Sequence, residues 1–365
     1  MTATITAIPV QNVAGLEPEW RALEQASATL SFFQSWTWVG CLAAERYPNA
    51  ILLRAERAGR LVGLALFNRQ GGRLHLAEAG VPALDAPFIE HNGPVLAADA
   101  EPDLAARMFA AAWALPGVQR LVLSGVVPEL LAACGGVAWR QQQRLAPYAD
   151  LDAIRAGGTD HLATLSSNAR YQLRRSQRAM AARGPLRLER AETLAQAQAW
   201  LAALIELHQA SWRQRGKPGA FADPFMRRFH ETLLARAMPR HEVDLLRLSV
   251  GDDPVGYLYN FQSRGQVFAY QSGLPHQIDS PHEKPGLTLH ALAIQRALEE
   301  GARVYDFLGG DDRYKLSLAN ATRPQVWAEL VAAGSAHGLL ARGLGRLGVG
   351  RFRDAAVGAF ARPGG

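Results

Sequence analysis

The chain has 365 residues, an apolar share of 48% and two cysteines, a composition that allows large buried cores and favours two domains. Its formal charge of +6 is unevenly spread: residues 151–190 hold eight arginines against three acids, the segment from Ser335 onward five against one, and the remainder is slightly acidic. Such local basicity suits a phosphate site or a surface contact and speaks against a general nucleic-acid coat, so no DNA partner is expected.

Cys41 and Cys134 show no CxxC or Cys/His spacing, which argues against a disulfide framework and a zinc site. The opening MTATITAIPVQNVAG has no basic or apolar signal region, and no apolar run reaches the ~18 residues of a spanning helix. A reducing, cytoplasmic location is expected.

In chain order, residues 20–25 and 34–46 have helical spacing, entered through Ser31 to Ser35, and 51–56 with 61–68 read as a hairpin about Ala58-Gly59. A strand at 74–77, a loop rich in Pro and Gly, a helix at 102–114 and a strand at 120–124 complete one mixed domain, closed near residue 150. A long helix follows, capped by Thr159 or Asp160, with Leu162, Leu165, Ala169, Leu173 and Ala179 as its apolar stripe. Arg170, Arg174 and Arg178 fall on one face of it. They form either a solvated face or, since no acid lies between His161 and Glu189, a receiver for an anionic ligand.

Helices at 191–213 and 224–237 lead into strands at 243–250, 255–262 and 266–272, a meander whose turns are GDDP and SRG. Then comes EKPGLTLHALAIQRALEEGARVYDFLGGDDRYK. A helix opened by Pro285-Gly286 offers unpaired N–H groups and the positive end of its dipole to an anion. The strand at 303–308 delivers Asp306, Asp311, Asp312, Tyr314 and Lys315 to the same end of the sheet. The fold class expected is α/β with mixed sheets, in domains 1–150 and 151–334 and a basic, Gly-rich tail at 335–365 that is loosely packed or touches a membrane surface.

The segments FFQSWTWVGCLAA, APYADL, LSSNARYQLRRSQRAMAARG, YQSGL, EKPGLTLH and YDFLGGDDRYK, in that order, resemble the GNAT superfamily of N-acyltransferases in tandem form. In tandem form they are similar to the BioF2-like acetyltransferase domain found in proteins linked to cellulose and exopolysaccharide synthesis, a branch related to Fem-type aminoacyltransferases. The resemblance implies two GNAT-like lobes, a gap between splayed strands at 266–273 and 303–308 for the pantetheine of acyl-CoA, acetyl-CoA above all, and a diphosphate on Lys284, Pro285, Gly286, Leu287 and Thr288. The Gly-rich QxxGxG or RxxGxG loop of many members is missing, which leaves another activated acyl donor open. Tyr314-Lys315 looks like the aromatic-Lys pair of Fem-type enzymes.

Acyl transfer to an amine needs a neutral nucleophile, a stabiliser for the oxyanion and an acid for the leaving group. Lys315 and the backbone N–H groups of Gln271, Ser272 and Gly273 suit the second role, Asp311 or Asp312 the acceptance of a proton, and Tyr314 the third. Each has an ordinary alternative: a polar turn for Asp311-Asp312, a core residue for Tyr314, a structural ion pair for Lys315 and for Asp306. Trp212, Tyr257, Tyr259 and Tyr270 would line an acceptor pocket, with Arg170, Arg174 and Asp306 as further acceptor contacts; period-two spacing gives core packing to at least one of Tyr257 and Tyr259. His276, His282 and His290 fit no compact metal ligand set. The function expected is transfer of an acyl group, acetyl above all, to an amino group of a small molecule or glycan precursor. The other two expectations are a Fem-like transferase using aminoacyl-tRNA and a non-catalytic partner of polysaccharide-synthesis machinery.

Overall fold

Residues 2–85, 89–275 and 280–346 are described by the computed structural model; they form one unit from 2–144 with 324–346 and another from 145–323. In chain order the first stretch runs β1 (Thr4–Pro9), α1 (Glu17–Ala26), α2 (Trp36–Arg46), β2 (Ala50–Arg57), β3 (Arg60–Gln70), β4 (Arg73–Leu76), α3 (Pro82–Asp85), β5 (Val95–Leu96), α4 (Leu104–Trp113), β6 (Arg120–Val126), α5 (Pro128–Ala133) and β7 (Val137–Asp150). There follow α6 (Leu151–Ala156), α7 (His161–Thr164), α8 (Ser167–Ala181), β8 (Leu186–Arg190), α9 (Leu194–Gln214), α10 (Pro224–Ala237), β9 (Val243–Val250), β10 (Asp253–Ser263), β11 (Gln266–Gly273), α11 (Pro285–Glu299), β12 (Val304–Asp306), α12 (Arg313–Leu318), β13 (Ala321–Val331) and α13 (Ala336–Arg346). Unit boundaries fall inside β7 and β13.

The first unit orders its strands β1-β2-β3-β4-β6-β13, with β5 beside β3. All neighbours are antiparallel except β4 and β6. Its hairpin turns where expected, Ala58 and Gly59 both taking positive φ (51° and 75°), the backbone that matches the twist of paired strands. Ser35 caps α2 by accepting the Trp38 N–H, and Trp20, Phe32, Phe33, Trp36 and Trp38 pack into an aromatic core.

The second unit orders its strands β7-β12-β11-β10-β9-β8, antiparallel except for β11 and β12. Leu246, Leu248, Leu258, Leu289, Ile294 and Phe307 form its core. The long helix expected after Thr159 is two. Asp160 caps α7, the chain straightens at Leu165, and Ser166 caps α8 by accepting the Ala169 N–H.

Other elements were not anticipated. β1, β7, β8 and β13 lie outside the strands read from sequence, because their outward positions outnumber or interrupt the apolar ones; most of β7 before Ala146 is exposed or half-buried. The tail also departs from expectation: α13 is a helix despite its glycines, with Ser335 Oγ accepting the Gly338 N–H at its start. Residues 347–365, including Arg351 and Phe352, lie outside the described residues, as does His276. Among the described residues no helix is long and apolar enough to cross a membrane, and no group of His, Cys, Asp or Glu gathers as a metal site.

Candidate active site

The parallel pairing of β11 with β12 covers three positions, from Gln266 with Val304 to Phe268 with Asp306. β11 continues five residues further, to Gly273, where among the described strands it pairs with β10 alone. The backbone edge from Ala269 to Gly273 therefore opens onto a gap. Within that edge the β10 register skips Tyr270, since Ala269 faces Asn260 and Gln271 faces Tyr259. A bulge of this kind re-aims side chains and ends regular pairing, and bulges collect beside active sites.

The helix α11 starts at the same end of the sheet. Its position is fixed by α8: Ser176 Oγ lies 2.8 Å from Thr288 Oγ1 and accepts the Lys284 N–H, also at 2.8 Å. Gly286 in the first turn packs beneath Leu274, where an added Cβ would meet Leu274 Cδ1 at 2.8 Å. First-turn N–H groups have no partner within their helix, so those of Gly286 and Leu287 are available to an anion.

After β12 the chain makes a constrained turn. Leu308 is buried with φ of 62°, a left-handed conformation that is costly for a branched residue. Two opposite charges hold it. Asp306, fully buried, accepts the Leu308 N–H at 2.6 Å and pairs with Arg323, whose Nε is 3.1 Å away. Lys315, also buried, donates to the carbonyls of Leu308 and Gly309 at 3.4 and 3.0 Å and sits 3.6 Å from the Asp312 carboxylate.

These elements enclose a cleft of about 760 Å³ within the second unit. Tyr270, Gln271 and Ser272 line it from β11, Trp212 from α9, and Lys284, Pro285, Gly286 and Leu287 from the start of α11. Asp312 and Tyr314 close it from the turn before and the start of α12. The structure thus brings together ten of the residues singled out in the sequence.

The others lie elsewhere, each for a physical reason. Tyr259 points into the core against His230, Phe261 and Tyr270. Tyr257 is buried against Trp200. Thr288 spends its hydroxyl on Ser176, and Gly273 has its Cα face against the α9 backbone, where a Cβ would come within 2.7 Å of Leu204 atoms. Asp306 is the buried half of the Arg323 pair, Asp311 is exposed, and Lys315 is committed to the Leu308 turn without forming part of the cleft lining. Arg170 and Arg174 line an outer groove on α8 with Tyr171 and Arg178; Arg170 also donates to the Leu165 carbonyl at 2.6 Å.

Sequence reasoning missed several lining groups. Asn168 and Gln172 enter from α8, and Glu283, paired with Arg183 at 3.6 Å, from the loop before α11. His208 and His290 also line the cleft. His208 binds the Ser272 carbonyl through Nδ1 (3.3 Å) and receives the Ala220 N–H on Nε2 (3.2 Å), so it clamps β11 to α9. His290 sits one helical turn inside α11, with Nδ1 at 3.0 Å from the Tyr305 hydroxyl. Burial, helped by the Lys315 charge, lowers its pKa to about 3. The signal for His290 was its place in EKPGLTLH, five residues past Pro285 on a face that repeats with the helix period.

Residues 167–316 match the family model described as an acetyltransferase (GNAT) domain. Among solved structures, the chain is similar to the C-terminal domain of a protein assigned as a lysylphosphatidylglycerol synthetase from Agrobacterium fabrum (15% identity, 91% of this chain and 97% of that one, TM-score 0.56). It is also similar to the L-PGS structure from Bacillus licheniformis (13%, 90% and 96%, TM-score 0.55). A third similar structure is a conserved protein of unknown function from Bacteroides thetaiotaomicron (12%, 90% and 100%, TM-score 0.54). No curated protein sequence matches.

Proposed function

We propose, from the premise that the second unit carries a GNAT acetyltransferase domain and that the chain is a GNAT-type N-acyltransferase, that it moves an acyl group, acetyl in the first instance, from acyl-CoA to an amino group. One observation carries the choice of donor. The unpaired edge of β11 and the N-terminus of α11 meet at one end of one cleft, so an extended amide-bearing arm and a diphosphate are accommodated together. In the reaction the amine nitrogen attacks the thioester carbonyl carbon; the C–N bond forms, the C–S bond breaks, the Asp312 carboxylate takes the ammonium proton directly or through water, and the Tyr314 hydroxyl protonates the departing thiolate. The products are an amide and free thiol.

Polar groups on the α8 and α9 walls, Asn168, Gln172 and Ser211, suit a hydroxylated acceptor such as an amino sugar or envelope-glycan precursor. A role beside polysaccharide-synthesis machinery in the cytoplasm follows from that acceptor. The outer arginine groove on α8 supports a second reading, an aminoacyl-tRNA donor whose phosphates lie on Arg174 and Arg178. Thermal-shift titration separates the two: acetyl-CoA at ~100 times its dissociation constant should stabilise by roughly 2.7 kcal/mol. No shift with any acyl-CoA, together with a salt-sensitive shift on adding tRNA, would replace the first reading by the second.

A further inference from the structure

We infer that His290, positioned by Tyr305, presents its Nε2–H into the cleft as the hydrogen-bond donor to the acyl carbonyl oxygen. This rests on the acyltransferase reading and adds a side-chain donor to it, since Lys315 is committed to the Leu308 turn. Among the described residues, the buried His208 and His290 line the cleft and the buried His230 stands behind its Tyr270. His208 has both ring nitrogens engaged, and His230 binds the Tyr270 hydroxyl through Nε2 at 3.1 Å. His290 alone among them lines the cleft with a ring nitrogen that has no partner among the described residues.

The proposed tautomer has the Tyr305 hydroxyl donating to Nδ1 across 3.0 Å, which puts the ring proton on Nε2. Tyr305 is fully buried on β12 and cannot turn away. The imidazole packs against Phe307 and Tyr314, with ring centroids 5.5 and 5.4 Å away, which restricts its rotation. A fixed neutral donor costs no reorganisation when charge develops on the carbonyl oxygen. Burial and the nearby Lys315 charge disfavour protonation of the ring, which suits a neutral donor better than a general base.

The test uses the full chain labelled with 15N-histidine and the probe [1-13C]acetyl-CoA. Imidazole 15N spectra should show an Nε2–H tautomer for His290 in wild type and a tautomer mixture in Tyr305→Phe. The bound carbonyl 13C resonance should move downfield in wild type, lose that shift in His290→Ala and regain part of it in His290→Gln, whose amide donates from a similar place. An Nδ1–H tautomer, or an equal carbonyl shift in wild type and His290→Ala, overturns the inference while acyl-CoA binding stands. Failure of acetyl-CoA to bind wild-type protein overturns the donor reading and this inference together.

Discussion

Ser176 and Thr288 join two helices through their hydroxyls, 2.8 Å apart and both fully buried, and the Ser176 oxygen also accepts the N–H of Lys284. One oxygen thereby sets where α11 begins and how it faces the cleft. Ser176→Ala leaves the Lys284 N–H and the Thr288 hydroxyl short of a partner, so a loss of about 1–3 kcal/mol is expected in urea unfolding, with weaker acetyl-CoA binding by calorimetry. Full stability with unchanged affinity would mean that α11 is placed by apolar packing alone.

Gly286 tests the anion site. Gly286→Glu puts a carboxylate where the donor diphosphate meets the helix dipole, and its Cβ presses on the movable end of Leu274. Acetyl-CoA affinity should fall by roughly tenfold or more, while Gly286→Ala, which adds the Cβ without the charge, should lose much less. Equal losses in both variants would assign the effect to Leu274.

Lys315 separates a structural from a catalytic cation. With its ammonium on the Leu308 and Gly309 carbonyls, Lys315→Met should cost about 1–3 kcal/mol and leave turnover per folded molecule within a few-fold of wild type. A loss of roughly 100-fold in kcat at unchanged melting temperature would return the oxyanion role to this lysine.

Acid should weaken the second unit through its buried histidines. Burial lowers the His230 pKa from 6.5 to about 3, so the folded chain excludes a proton that the unfolded chain binds. Its contribution is complete above pH 6.5 and is lost, at about 1.4 kcal/mol per pH unit, as pH falls toward 3. Asp85, raised to about 6 by burial, acts with the opposite sign between there and 3.8, so wild type alone reports a sum. Urea unfolding of wild type and His230→Phe at pH 7.5, 6 and 5 isolates the histidine: the variant should show the shallower decline. Parallel curves would place a water or a proton on His230 in the folded state.

The amino-acid sequence by itself determined the elements whose signals are local. Period-two apolar runs between Gly251 and Gly265 turns specify the β9-β10-β11 meander, and Pro285-Gly286 ahead of a helical stripe specifies the start of α11. Both the cleft's β11 wall and its helix N-terminus were therefore legible, as was Tyr314 near its rim.

Only the tertiary structure decided the rest, because its signals come from pairings distant in the chain. β7 meets β12 across some 150 residues, and β13 meets β6 across some 200, so their exposed positions carry no apolar alternation to betray them. The same distance hides the roles of charged groups. Asp306 and Lys315 look alike in sequence to catalytic residues, and what distinguishes them is that Arg323 and two backbone carbonyls already satisfy them. His290 shows the converse: a histidine that the sequence offered only as a poor metal ligand lines the cleft, with β12 bringing Tyr305 to its Nδ1.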